Sequence, residues 1–198
     1  MKKIILTLLL SANLFAFNNV TYFGGVNAEG ELTIKSGSAV DKQDQKYNYT
    51  LGMELERTFK KNRFISVGLG TKYEGAFEAN SETYGKQEFA STVPVYAMGK
   101  LIIPIDKNSK FYLKGQVGYD FVIEGKYLKN LRDVYSDSSL IKVDGGIYTG
   151  VGLGIDVNKL NLELNYNITR MKLINQNNKE YKYENAKISA TIGYKFDI

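Results

Sequence analysis

The 198-residue chain contains no cysteine, no histidine and no tryptophan, and only two prolines. Without cysteine there is no disulfide, no thiolate nucleophile and no thiolate metal site. Without histidine the chain lacks the usual neutral-pH acid–base group and the commonest metal ligand. A large excess of one charge sign is also lacking. Its 26 Lys and Arg against 21 Asp and Glu leave a formal net charge of +5, two of it in Lys2 and Lys3. No dense basic stripe accompanies that excess, so no nucleic-acid partner is expected. Long apolar runs are missing beyond the N-terminus, and the mean hydropathy is −0.27. That average excludes a bundle of membrane helices. It does not exclude a membrane barrel, whose signal lies in alternation.

What is abundant is tyrosine (15), phenylalanine (10) and glycine (19). The chain opens Met-Lys-Lys, continues almost wholly apolar from Ile4 to Leu10, and reaches Ala16 through small and apolar residues. A short basic region, a short apolar stretch and a small residue make a secretory signal peptide, too short for a spanning anchor of ~20 residues. The expected organisation is a signal peptide over 1–16, with cleavage after Ala12 as the alternative, and one domain over 17–198.

From Val20 onward the period is two. Val20, Tyr22, Gly24 and Val26 alternate with Thr21, Phe23, Gly25 and Asn27, which reads as a strand over about 20–34. The same alternation returns over 47–56, 65–74, 89–103, 111–123, 141–155, 160–168 and 186–196. Eight strands are expected. Short connections fall at 60–63, 104–110 and 156–159, and long polar ones near 35–46, 78–87, 126–139 and 173–184. The expected fold is all-β: an eight-stranded antiparallel up-and-down barrel.

Alternation alone does not say which face is inside. A soluble ligand-carrying barrel turns its apolar face inward, and a membrane barrel turns it outward. Strand length favours the membrane, since globular strands have a mode of ~5–6 residues. Glycine on the polar parity (Gly52, Gly68, Gly70, Gly118, Gly146, Gly150, Gly152, Gly154, Gly193) favours it too. The interior of eight strands is only just wide enough for side chains, so bulk there must alternate with gaps. On this reading the barrel is transmembrane, and Tyr22, Tyr49, Tyr73, Phe77, Phe89, Phe111, Tyr166, Tyr194 and Phe196 share the lipid-facing parity.

The segments Val93 to Leu101 and Phe111 to Tyr119 resemble strands four and five of the OmpA-like and OmpX-like outer-membrane barrels. The terminal strand from Ile188 to Ile198 resembles the signal that the barrel-insertion machinery reads, carried here by Gly193, Tyr194, Phe196 and Ile198. That resemblance implies a monomer in the outer membrane of a double-membraned bacterium. It also implies membrane lipid and lipopolysaccharide, the insertion machinery and periplasmic chaperones as partners. A host or neighbouring-cell surface is a further expected contact.

Three to five residues above the end that carries the short turns, the inward positions hold Glu54, Glu56, Lys100, Lys114, Gln116, Glu163, Asn165 and Lys195. Three acids facing three bases are expected to form an internal ion-pair network, because a buried charge needs a partner. Higher up lie Glu29, Glu31, Lys72, Glu74, Asp120, Lys142, Asp144 and Lys187. These are expected to be solvated charges, with a cation site at the outer mouth as the alternative. No catalytic residue, metal or cofactor is expected. Small-barrel enzymes such as omptins and the outer-membrane phospholipase resemble this architecture and are described with an essential histidine. Ser91, Ser136 and Ser189 here have no such partner. The expected role is structural and adhesive at the envelope surface. A narrow channel gated by the network is the alternative, and a soluble carrier the third.

Overall fold

The computed structural model describes residues 17–36, 39–44, 47–59, 63–81, 85–124, 142–174 and 180–198. The expected signal peptide and the third long connection lie outside the described residues. No helix among the described residues is long and apolar enough to cross a membrane.

Alternating sequence becomes β1 (Asn19–Ser36), β2 (Ala39–Asp44), β3 (Asn48–Thr58), β4 (Ile65–Ser81), β5 (Gly85–Pro104), β6 (Ser109–Glu124), β7 (Lys142–Val157), β8 (Leu160–Ile174) and β9 (Glu180–Asp197). Neighbours pair antiparallel in chain order, and β1 also pairs β9, so the sheet closes on itself. β2 is not a ninth stave. Its pairing with β1, from Glu31↔Asp44 to Ser36↔Ala39, continues the register that β3 sets from Asn19↔Glu56 to Asn27↔Asn48. β2 and β3 are two segments of one stave, and the barrel has eight.

Several strands run further than alternation predicts. β2 occupies part of the connection expected over 35–46. β4 and β5 consume most of 78–87, and β9 begins at Glu180 inside the connection expected over 173–184. Strand pairing is made by the backbone, and it leaves a period-two signature in the sequence only where one face is buried and the other is not. Inside the barrel, β4–β5 pairing lapses between Thr71↔Val95 and Glu74↔Thr92. Pro94 lies in this gap, and it has no N–H to give.

The apolar parity faces out. Leu51, Val117, Phe121, Ile147, Val151, Leu162 and Ile192 are all exposed, Val151 by 63 %. The polar parity faces in: Glu54, Lys72, Glu74, Lys100, Lys114, Asp120, Asn167 and Lys187 are buried. This inside-out arrangement removes the soluble-carrier reading, which requires an apolar cavity.

The end bearing the termini and short turns is tied all round. The Asn158 N–H donates to the Asn108 carbonyl at 2.7 Å, the Lys195 N–H to Lys159 at 2.8 Å, and the Ile198 N–H to Asn18 at 3.1 Å. Asp106 Oδ1 accepts from the Asn108 and Ser109 N–H groups, both at 2.7 Å, which sets the β5–β6 turn. The Asn108 amide and then Ser109 hold the Asp106 carboxyl below its ordinary range. Asn158 takes φ 55° in the β7–β8 turn, a left-handed conformation that asparagine tolerates better than most residues.

Glycine placement follows from room. A Cβ on inward Gly118 would strike the Val95 carbonyl and Tyr96, and one on Gly70 would strike the Tyr96 ring. Outward Gly115 has nothing within 4 Å. Gly118→Ala is therefore expected to destabilise the barrel by ~1–3 kcal/mol through overpacking. Gly115→Ala should stay within about 0.5 kcal/mol, as surface changes do. Denaturant midpoints of the two variants check both.

Candidate functional site

The six charged residues expected in the network lie on five strands: Glu54 and Glu56 on β3, Lys100 on β5, Lys114 on β6, Glu163 on β8 and Lys195 on β9. Barrel shear brings them together. Lys195 Nζ lies 3.4 Å from Glu56 Oε2, which takes Lys100 Nζ at 2.9 Å. Lys100 reaches Glu54 Oε2 at 3.3 Å, and Glu54 Oε1 takes Lys114 at 2.9 Å. Lys114 also pairs with Glu163.

A seventh member, Asp156, extends the chain through a 2.6 Å contact of its Oδ2 with Lys195. Sequence reasoning placed Asp156 at the start of a turn. β7 in fact runs to Val157, and Asp156 continues the inward even parity of Gly150, Gly152 and Gly154. That parity was the available signal. The result is four carboxylates and three ammonium groups in series.

Neutral groups saturate the chain. The Tyr96 hydroxyl donates to Glu54 Oε1 at 2.9 Å, and the Tyr112 hydroxyl to Glu163 Oε2 at 2.7 Å. The Asn161 amide spans Tyr112 and Asp156, both at 2.7 Å. Asn165 donates to Glu163 at 2.6 Å and accepts from Gln116 at 2.9 Å. Lys100 Nζ sits 4.7 Å above the Tyr112 ring, a cation–π contact.

Above this layer Tyr96, Tyr148 and Met98 form an apolar cluster inside the lumen. The two tyrosine rings lie 5.4 Å apart at 36°. The Tyr148 hydroxyl is 2.7 Å from Asn167 Oδ1 and 3.1 Å from Gln116 Oε1.

A second charged layer follows. Lys72 meets Glu74 Oε1 at 2.8 Å, Lys187 pairs with Glu74 Oε2, and Thr92 donates to Glu74 at 2.9 Å. Thr169 donates to Asp120 Oδ2 at 2.9 Å. Lys72, Glu74, Asp120 and Lys187 were expected to be solvated, and they are buried instead. Strand tilt keeps these positions within the barrel wall rather than above it. Asp144 is half-buried, while the side chains of Glu29, Glu31 and Lys142 lie outside the described residues. Among the described residues no group of three acids comes together as a metal site.

The C-terminal residues lie on the seam. Gly193 pairs with Phe23 and Asn161, and Tyr194 with Tyr22 and Leu160. Tyr22, Tyr194 and Phe196 form an outward aromatic group, with ring centroids 4.7 Å apart for Tyr194–Phe196 and 6.0 Å for Tyr22–Phe196. Ile198 is exposed beside them. Of the serines considered, Ser91 accepts from the Tyr73 hydroxyl and Ser189 from the Asn167 amide. Ser136 and the third long connection lie outside the described residues.

The sequence matches the family profile described as "Outer membrane protein beta-barrel domain" over residues 4–196. No curated protein matches it. Among solved structures the chain is similar to the outer membrane protein OprG from Pseudomonas aeruginosa. Identity is 13 %, with 92 % of this chain and 97 % of that one covered at a TM-score of 0.53. It is also similar to Neisserial surface protein A (NspA), at 11 % identity, 89 % and 97 % coverage and a TM-score of 0.49. At such identities the likeness concerns the fold alone.

Proposed function

The chain belongs to the outer membrane protein β-barrel family, and from that membership we propose that it is a non-catalytic outer-membrane barrel with a closed lumen. Its role is to reinforce the membrane and to hold its long connections at the cell surface for contact with other surfaces. The end with the short turns and termini then faces the periplasm, and the opposite end faces outward. Lipid and lipopolysaccharide surround the apolar face. Periplasmic chaperones and the insertion machinery handle the chain before it closes, and the strand from Gly193 to Ile198 offers the latter its outward aromatic edge.

The observation that carries the closed lumen is its filling: two buried charged layers flank the Tyr96–Met98–Tyr148 cluster. Ions crossing it would have to displace ion pairs already made. Purified protein in planar bilayers is expected to give no steady conductance. A reproducible ohmic step from the unmodified protein would overturn this reading.

A gated ion path is the second reading, favoured by one specific feature. Glu54 and Glu56 are each shared between two lysines, so partners can be exchanged without leaving a charge bare. On that reading conductance appears as brief events, and Lys100→Ala or Glu54→Ala changes their frequency.

A further inference from the structure

At the turn-bearing end of the lumen, next to the ion-pair chain, lies a cavity of about 310 Å³. Small-molecule sites occupy ~300–1,000 Å³. Asp156, Lys195 and Glu56 line it together with Lys110, Lys159, Asn108 and Asn158.

Two of the lining acids, Asp156 and Glu56, are already engaged. Asp156 Oδ1 takes the Asn161 amide and its Oδ2 takes Lys195. Glu56 Oε2 serves Lys100 and Lys195. The two outer lysines differ. Lys110 stands directly opposite Asp156 in the β6–β7 ladder, but both oxygens of that carboxylate have other partners. Lys159 lends its backbone carbonyl to Lys195, while its side chain is exposed. Among the described residues neither Lys110 nor Lys159 has an ion-pair partner. The turns carrying Asn108 and Asn158 are joined backbone to backbone, so the rim is held in place without help from its side chains.

We propose that this vestibule binds a small polar ligand through an oxyanion, a carboxylate or a phosphate, received by Lys110 and Lys159. The Asn108 and Asn158 amides supply further donors, and Asp197, also on the lining, accepts from the neutral part of the ligand. Charge-assisted hydrogen bonds from two ammonium groups are the strong component. The cavity also communicates with the lumen. Lys195 contacts Glu56 at 3.4 Å, the longest link in the ion-pair chain. An oxyanion that reaches the floor competes for that ammonium first. The site does not depend on whether the lumen conducts.

The test uses the full chain in detergent micelles, with backbone amide NMR signals followed during titration with inorganic phosphate, with acetate, and with glucose as the neutral control. The expected result is a saturable shift at Asn108, Lys110, Asn158 and Lys159 with an anion and none with glucose. Response to only one of the two anions supports the site and identifies the oxyanion. Lys110→Gln with Lys159→Gln should weaken binding at least tenfold, and Lys110→Arg with Lys159→Arg should retain it. All variants should keep the compact, heat-modifiable gel band of the parent, which separates lost binding from lost folding. Shifts that never saturate, that glucose reproduces, or that persist unchanged in the double glutamine variant would overturn the proposal.

Discussion

Replacing Lys114 with methionine is expected to lower the unfolding free energy by ~3–5 kcal/mol, the cost of stranding a buried charge. Lys114 Nζ lies 2.9 Å from Glu54 and also pairs with Glu163. The chain has four carboxylates for three ammonium groups, so losing a lysine leaves two lysines among four acids. Losing an acid acts in the opposite direction. Glu54→Gln removes the excess negative charge and keeps an acceptor for the Tyr96 hydroxyl, so its cost should be well below that of Lys114→Met. Pairing Lys114→Met with Glu163→Gln should recover part of the loss, because one uncompensated carboxylate goes with the lysine. Equilibrium unfolding in denaturant gives the order, with the temperature at which the compact gel band converts as a second readout. An equal cost for Lys114→Met and Glu54→Gln would mean that charge balance does not govern the lumen.

The second large effect concerns the aromatic cluster. Removing both rings with Tyr96→Ala and Tyr148→Ala is expected to turn a silent barrel into one with a steady conductance in planar bilayers. The rings lie 5.4 Å apart between the two charged layers, and Lys72 Nζ sits 5.1 Å from the Tyr148 ring. Once they are gone, water can bridge the Glu54 layer and the Glu74 layer, and ions gain a hydrated route past partners they need not displace. Phenylalanine at both positions keeps the bulk and loses only the hydroxyl bonds to Glu54, Gln116 and Asn167. That variant should remain closed. A silent double alanine variant would locate the barrier in the ion pairs rather than in the rings.

The fold was legible because the side-chain period of a strand is fixed by backbone geometry. Val117 and Phe121 had to share a face, and so did Lys100 and Tyr96. The opposite face of this stretch is also explained by glycine, since Gly70 and Gly118 make room for Tyr96 in a way that a water-exposed surface would not require. The partners of Glu54 were not legible. Which lysine meets which acid depends on tilt and shear, and neither is written in the alternation of any one strand. Asp156 was obscured by its nearness to Asn158, whose turn chemistry is the stronger local signal. The depth of Lys72, Glu74 and Lys187 was missed for a related reason: parity gives a side chain its face but not its height.

The closing seam runs from Asn19↔Asp197 to Lys35↔Lys182, joining the first stave made to the last. Contacts of such sequence separation are the slowest to form, because the whole intervening chain must be ordered for them to pay back. A growing chain therefore gains no partial barrel that could stand alone. Until the final stave arrives, β1 has one bare edge, and bare edges invite pairing with other chains. Pairing along the seam covers that edge, so closing the barrel and shielding it from other chains are one event.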